Sequence, residues 1–425
     1  MPEGDQAGDS LSDSQAGQER AGPLAPFRYP NYRLLWLIGV FSGSGFQMQQ
    51  VVNSWLVYEL THDPFALGLL GVFRAVPIVG LSLFGGAVVD AMDRRRLLLF
   101  TQAIRGLLGV VLLVLAALQV LQAWHIYVVQ AMSASASVFD GPARQAMLPA
   151  TVPRSGITSA IVLNSTTNQL TRTIGPTIAG LFLAIAAGPV LAYAVNAGLF
   201  LCGWLTVWRM HMPHISGSSG PRQSVGQLMK GGLVFVKNTP VILGMLLLDA
   251  LATFFTAYDA LLPIFARDVL GVGPQGFGLL ASAPSFGSFV GAATVLFFFS
   301  QVERRGRVVL LAVLAYGLAV LVFSLSPEFV LSFVALMLAG LLDQSAVTMR
   351  NSVLLLLTPN ELRGRVESIR LMFIQGGPTL GAVQAGALAS VFGAPIVLAV
   401  ESLAVLVIVA AVHLKVPAIW SSRIR

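Results

Sequence analysis

The chain has 425 residues, of which 56% are hydrophobic and only 11% charged. Soluble domains carry about 25% charged residues, so this composition excludes a protein whose whole surface faces water. The net charge is +7, and no basic cluster is interleaved with aromatic residues as in a nucleic-acid site. We therefore expect cationic loops on a membrane protein and no nucleic-acid partner. The one cysteine, Cys202, excludes an intrachain disulfide and a Cys-based metal site.

Residues 1–26 are polar, acidic and rich in Gly and Ser. They lack the basic start and short apolar core of a signal peptide. A segment of this composition cannot bury enough apolar surface to fold. The sequence therefore predicts a disordered cytoplasmic tail.

Apolar stretches of about 20 residues follow, each long enough to cross a bilayer as a helix. There are twelve, at about 34–58, 66–90, 97–120, 124–147, 157–185, 189–209, 240–265, 275–300, 307–326, 329–351, 364–391 and 394–416. The long connector after span 6 divides them six and six. This pattern predicts an all-α membrane protein with a bundle at 27–209, a linker at 210–239, a bundle at 240–416 and a tail at 417–425.

The cations predict the orientation, because cytoplasmic loops carry an excess of Lys and Arg. With both termini inside, 22 of the 26 cations fall at the cytoplasmic face, Arg144 and Arg350 among them as loop residues. Arg267 falls outside, and Arg74, Arg105 and Arg172 fall within spans. We expect a multi-pass protein of a bacterial inner membrane with cytoplasmic termini.

The two halves resemble each other. A shift of 206 residues matches Arg144 with Arg350 and Gly175 with Gly381, and a shift of 210 matches Pro64 with Pro274. Six spans per copy give both halves the same orientation, so they are expected to be related by an axis along the membrane normal. Two such bundles around a central cavity favour a transporter over a channel.

The loop between spans 2 and 3 reads GGAVVDAMDRRR, from Gly85 to Arg96. It resembles the signature loop of the major facilitator superfamily in four positions, and departs from it at Ala91 and Asp93. The matching positions are Gly86, Asp90, Arg95 and Arg96. Further segments resemble the enterobactin-exporter-like branch: Gly141–Ala146 at the end of span 4, and Gly175–Gly180 in span 5.

This resemblance implies a major facilitator fold of two six-helix bundles, and a gating role for the loop. Asp90 could pair with cations or helix N-termini when the bundles close, whereas the arginines could also serve only to fix topology. Arg144, Gly175 and Pro176 are the other candidate gating residues. In the superfamily a Gly-Pro pair in span 5 marks proton-exchanging exporters, and small-residue helix packing is the alternative explanation here.

Polar residues inside spans are costly and usually face a cavity or a partner. The candidates for substrate contact are Gln47, Gln50, Asn53, Asn164, Asn168, Arg172 and Thr253. The candidates for proton coupling are Asp249 and Asp343, since a desolvated carboxylate can carry a proton. The alternative is structural: buried Asp and Arg pair with each other or cap helices. Asp259 and Arg267 are expected near the outer rim.

The linker at Arg222–Lys237 has apolar residues at helical spacing, which predicts an amphipathic helix at the inner membrane surface. The leading functional hypothesis is a proton-coupled exporter of a small drug-like or siderophore-like molecule. A uniporter or importer of a metabolite or lipid-like solute stays open, and a non-transporting sensor is the remote alternative. No histidine cluster or phosphate-binding loop appears, so we expect no enzyme, cofactor or metal. The expected partners are substrate, protons and lipid, and the expected state is monomeric.

Overall fold

The computed structural model describes residues 22, 24–185, 187–211, 225–295, 297, 302 and 304–421. It is all-helical in these ranges. The first half contains α1 (Pro30–Thr61), α2 (Pro64–Ala91), α3 (Arg94–Ala117), α4 (Ala123–Met147), α5 (Ile157–Leu183) and α6 (Gly188–Arg209). The linker forms α7 (Val225–Asn238). Short 3₁₀ turns lie at Ala25–Arg28, Leu148–Ala150, Arg154–Gly156 and Asn360–Leu362.

The second half repeats this order with one break. Its helices are α8 (Pro240–Phe255), α9 (Tyr258–Ile264), α10 (Gly273–Thr294), α11 (Arg305–Leu325), α12 (Phe329–Leu357), α13 (Arg363–Phe392), α14 (Ala394–Lys415) and the short α15 (Pro417–Ser421). The seventh span is thus α8, α9 and a π-turn at Phe265–Val269. With α8 and α9 counted as one span and the short α15 left out, these helices and α1–α6 form the twelve spans of a major facilitator fold, so the predicted fold class is confirmed.

Helix starts follow simple local rules. Proline stands in the first turn of α1, α6, α8, α10 and α14, where its missing N–H is not needed. The helix α3 begins after Asp93, whose carboxylate accepts a hydrogen bond of 2.9 Å from the backbone N–H of Arg96. Each predicted span begins within a few residues of the start of a helix.

In the described ranges, eight helices are long and apolar enough to cross a membrane by length and composition alone. The four more polar long helices are α1, α4, α5 and α13. A helix that lines an aqueous cavity can carry polar residues that a lipid-facing helix cannot. Their lower hydropathy therefore indicates which helices border the interior of the protein.

We call the end of the bundle that carries α7 and the start of α1 the linker end, and the opposite end the far end. The tightest contacts between the halves lie toward the far end. A Cβ at Gly180 of α5 would lie 2.6 Å from the Cα of Gly278 of α10, and a Cβ at Gly386 of α13 would lie 3.1 Å from the Cα of Gly68 of α2. Only residues without side chains permit this approach. The halves are closed together at the far end.

Toward the linker end the same face of α5 is uncovered. Ile161 lies 18 residues, or five helical turns, before Ala179, and Val162 lies the same distance before Gly180. Ile161 therefore shares a face of α5 with Ala179, and Val162 shares one with Gly180. Ile161 is 53% and Val162 58% exposed, whereas Ala179 is fully buried against the other half. The halves therefore diverge from mid-depth toward the linker end, and the cavity between them opens there.

Candidate functional site

Three charged side chains from both halves meet in the central cavity. Arg74 of α2 and Arg172 of α5 come from the first half, and Asp259 of α9 comes from the second. Asp259 lies within electrostatic range of both arginines, and Arg74 within range of Arg172. All three are exposed to a water-sized probe. The site therefore joins two cations of one half to one carboxylate of the other.

Asp259 reaches this position because the seventh span breaks. The α8 helix ends at Phe255, and Thr256 bonds its hydroxyl back to the Ala252 carbonyl at 2.6 Å and to the Tyr316 hydroxyl at 2.7 Å. The chain then restarts as α9, with Asp259 in its first turn. The expectation that Asp259 lies at the outer rim was wrong, because Asp259 lies within electrostatic range of Arg74 and Arg172 in the interior of the bundle.

Asp249 is held by an arginine on the facing helix. Arg350 of α12 donates a hydrogen bond of 2.5 Å to the Asp249 carboxylate of α8. The two side chains are 2% and 7% exposed. Assigning Arg350 to a cytoplasmic loop was wrong, because it is buried within α12. Arg144 likewise lies within α4 and not in a loop.

Asp343 of α12 lies near this pair. It is half-buried and within electrostatic range of Asp249, Asp259 and Arg350. Among the described residues, Asp343 makes no ion pair within 4.0 Å. A proton gained or lost at Asp343 therefore changes the electrostatic energy both of the Asp249–Arg350 pair and of the central Asp259.

Two predicted substrate contacts have structural partners instead. Asn53 is fully buried, donates a hydrogen bond of 2.9 Å to Gln130 and accepts one of 3.0 Å from the Tyr193 hydroxyl. The Thr253 hydroxyl bonds to the Asp249 carbonyl at 2.8 Å and packs at Gly377 of α13. Asn53 therefore joins three helices, and the Thr253 hydroxyl is engaged by its own helix.

The remaining predicted contacts are distributed along the cavity. Gln50 accepts a hydrogen bond of 2.5 Å from Gln130, and Gln47 packs against Gly175. On α5, Asn164 is half-buried, whereas Asn168 is exposed and lies one turn from Arg172. Arg172 is the predicted contact that lies within electrostatic range of Arg74 and Asp259, and Asn168 shares its face of α5.

The candidate gating residues divide into two groups. Gly175 and Pro176 are buried where α5 meets α1 and α10, at the closed far end. Arg95 donates hydrogen bonds to the carbonyls of Val207 and Trp208 within the first half, and Arg96 is exposed. Gly86 and Asp90 fall outside the residues whose side chains are described.

Three further contacts join the two halves. The Tyr58 hydroxyl of α1 donates a hydrogen bond to the carboxylate of Asp268, and Trp55 packs on Phe277 with ring centroids 5.4 Å apart. Gln169 donates a hydrogen bond of 2.9 Å to the Ser285 carbonyl near mid-depth. Neither the Tyr58–Asp268 bond nor the Gln169–Ser285 bond was predicted, because a sequence pattern does not show which residues of two bundles meet.

Comparison with known proteins agrees with this architecture. Residues 21–423 match the family model described as transmembrane secretion effector. The multidrug efflux pump Tap of Mycolicibacterium fortuitum is 27% identical over 372 residues, which are 85% of this chain and 89% of Tap. The enterobactin exporter EntS of Escherichia coli is 26% identical over 363 residues, 85% of each chain. The staphyloferrin A transporter of Staphylococcus aureus is 28% identical, over 81% of this chain and 86% of that protein.

Solved structures share the fold at low sequence identity. A bacterial homolog of the human lysosomal transporter Spinster, in an inward-facing unoccupied conformation, gives a TM-score of 0.72 at 15% identity and covers 93% of this chain and 98% of its own. The nucleoside transporter NupG gives a TM-score of 0.67 at 16% identity and covers 91% and 98%. At such identities these structures support the fold alone.

Proposed function

We propose that this chain, which belongs to the transmembrane secretion effector family of the major facilitator superfamily, exports a small organic molecule in exchange for protons. The bundle is a multi-pass membrane protein related to efflux pumps and siderophore exporters. Export as the direction of transport, coupling to protons, and the orientation of the chain in the membrane are our proposals. The linker end is placed in the cytoplasm, following the cation distribution.

The observation that carries the proposal is the one-sided cavity. The two halves are closed at the far end by Gly180 and Gly278, and separated at the linker end, where Ile161 and Val162 are exposed. Substrate enters from the cytoplasm in this state and meets Arg74 and Arg172 at mid-depth. Rocking of one half on the other would open the far end and release it by alternating access.

Asp343 is the proposed proton carrier. Its charge acts on Asp249 and Arg350 in its own half and on Asp259 in the central site. Protonation of Asp343 would therefore shift the balance of charge that holds substrate between the arginines and Asp259. Substrate release and proton binding are coupled in this scheme because both act on the same group of charges.

Inverted membrane vesicles test direction and coupling together. Ethidium, staphyloferrin A and enterobactin are offered outside the vesicles, and uptake is followed while respiration acidifies the interior. We expect uptake of at least one compound that an uncoupler abolishes. Uptake that persists undiminished with the uncoupler would support the uniporter alternative and overturn proton coupling.

A further inference from the structure

Arg144 of α4 is only partly paired in the portion of the first half that the structure describes. Its Nε and Nη1 atoms are buried and contact no hydrogen-bond acceptor. The residues around it line a small, partly open cavity of about 10 Å³, the space of one water-sized group, between α1, α4 and α5: Tyr32, Leu35, Trp36, Leu148 and Asn164. A buried guanidinium is costly unless an anion or acceptor satisfies it. The cavity therefore contains a cationic side chain with unused hydrogen-bond donors.

The second half shows how the equivalent arginine is satisfied. The shift of 206 residues that matches the repeats places Arg144 at Arg350, which bonds Asp249. The shift of 210 at the start of each half matches Pro30 of α1 with Pro240 of α8, and hence Gly39 with Asp249. A Cβ at Gly39 would lie 3.5 Å from Nη1 of Arg144. The repeat thus keeps the arginine and the helix contact, and removes the carboxylate.

Two of the other polar side chains of the cavity, Trp36 and Tyr32, already have hydrogen-bond partners. Trp36 donates a hydrogen bond of 2.6 Å to Thr167, and the Tyr32 hydroxyl one of 3.3 Å to the Ala160 carbonyl. The Oδ1 atom of Asn164, which can only accept a hydrogen bond, lies 3.8 Å from the Cβ position of Gly39. Arg105 lies within electrostatic range of Arg144 and adds positive charge.

The negative charge nearby is used elsewhere. Asp140 accepts hydrogen bonds from Gln102 at 2.7 Å and Thr101 at 3.3 Å. It faces Arg105, and it makes no ion pair with Arg144 within 4.0 Å in the part of the chain that is described. No carboxylate is among the described residues that line the cavity, and the unsatisfied hydrogen-bond donors there are Nε and Nη1 of Arg144.

We propose that a carboxylate of the transported molecule binds Arg144 and occupies the place that Asp249 fills in the other half. This inference rests on the proposed function and deepens it by naming an anionic, carboxylate-bearing substrate class. Asn164 follows Val162 by two residues on α5, so the cavity lies at the depth where the two halves are separated. A charge-assisted, forked contact of guanidinium with carboxylate supplies both affinity and orientation.

The test measures anion binding by the purified full chain in detergent, separately from transport. Acetate, benzoate and citrate are titrated at constant ionic strength, and the rise in unfolding temperature gives a dissociation constant. We expect saturable binding of at least one of these anions. Arg144→Gln and Gly39→Asp should each weaken it about tenfold or more, as expected for the loss of a charge-assisted contact.

Gly39→Asn is the matched control, because it fills the same space without neutralising Arg144. It should bind the anion more than threefold tighter than Gly39→Asp. Equal affinity in wild type, Arg144→Gln and Gly39→Asp would overturn the assignment, as would absence of saturable binding of all three anions. Protection by phosphatidylglycerol alone would assign the cavity to a lipid headgroup and overturn it too. Anion binding that persists in a protein inactive in vesicle uptake would refute the export proposal and leave the Arg144 site intact.

Discussion

Arg350 and Asp249 form a buried ion pair that joins α12 to α8, with the guanidinium 2.5 Å from the carboxylate oxygen. The pair lies on the linker-end side of Asp343, the carboxylate with which both members interact. The pair thus holds two helices of the second half together. It also interacts with Asp343, the proposed proton carrier.

Asp249→Asn should destabilise the protein, because it leaves Arg350 buried without its counter-charge. Breaking a buried pair by removing one member costs about 3–5 kcal/mol. The thermal unfolding temperature of the purified protein should therefore fall clearly. The double variant Asp249→Asn/Arg350→Gln should recover part of that loss, because neither charge is then buried alone. An unchanged unfolding temperature in Asp249→Asn would show that the pair contributes little to stability.

Gly180→Val should hold the far end open. A Cβ there would lie 2.6 Å from Gly278, so the closed contact of α5 with α10 cannot form. In a Cys202→Ser background, a reporter Ser165→Cys on the uncovered part of α5 should react more slowly with a water-soluble maleimide once Gly180 is changed. Gly198→Ala, whose Cβ meets nothing within 4 Å, is the control. Equal labelling rates in all three proteins would contradict the closed far end.

Tyr58→Phe should weaken the same closure by a smaller amount. It removes the hydroxyl that donates to Asp268 across the two halves. A hydrogen bond to a charged group contributes about 1.5–3 kcal/mol, so the closed state should lose at least tenfold in relative population. The Ser165→Cys labelling assay reports this change. The hypothesis of a closing contact fails if Tyr58→Phe labels like the parent protein.

Arg172→Gln should reduce apparent substrate affinity, whereas Thr253→Val should not. Arg172 faces the cavity with Arg74 and Asp259, whereas the Thr253 hydroxyl bonds to its own helix. We expect the KM for uptake of an anionic substrate to rise about tenfold or more in Arg172→Gln. Initial rates over a range of substrate concentrations measure this. A larger effect of Thr253→Val would reverse the assignment.

Hydropathy predicts the twelve spans because lipid requires about 20 apolar residues per crossing. The repeat is visible because Arg, Pro and Gly are kept at fixed shifts, as in Arg144 and Arg350. Neither hydropathy nor the repeat shows that Arg350 is buried. The excess of cations in cytoplasmic loops assigns a cation near a helix end to the cytoplasmic face, whether its side chain contacts water or a carboxylate. The presence of Asp249 on another span of the same half was the signal that could have indicated the pair.

The central site was predictable only in part. Arg172 and Asn168 are at helical spacing and both side chains are exposed, and their contact with substrate stays a prediction. Asp259 was missed because the seventh span breaks after Phe255 with no proline or glycine at the break. Asn53 shares the polar stripe of α1, but its partners Gln130 and Tyr193 lie 77 and 140 residues away. Periodicity identifies the polar face of a helix, but it does not identify the residues that hydrogen-bond to the side chains on that face.

The most direct test of proton-coupled export is the proton movement caused by substrate in proteoliposomes, measured for wild type, Asp343→Asn and Glu328→Gln. Glu328 is an exposed carboxylate just before α12 and serves as the control. We predict that substrate moves protons in wild type and Glu328→Gln, and that Asp343→Asn loses this flux but still exchanges labelled for unlabelled substrate. Proton-driven transport by Asp343→Asn at the wild-type rate would contradict the account.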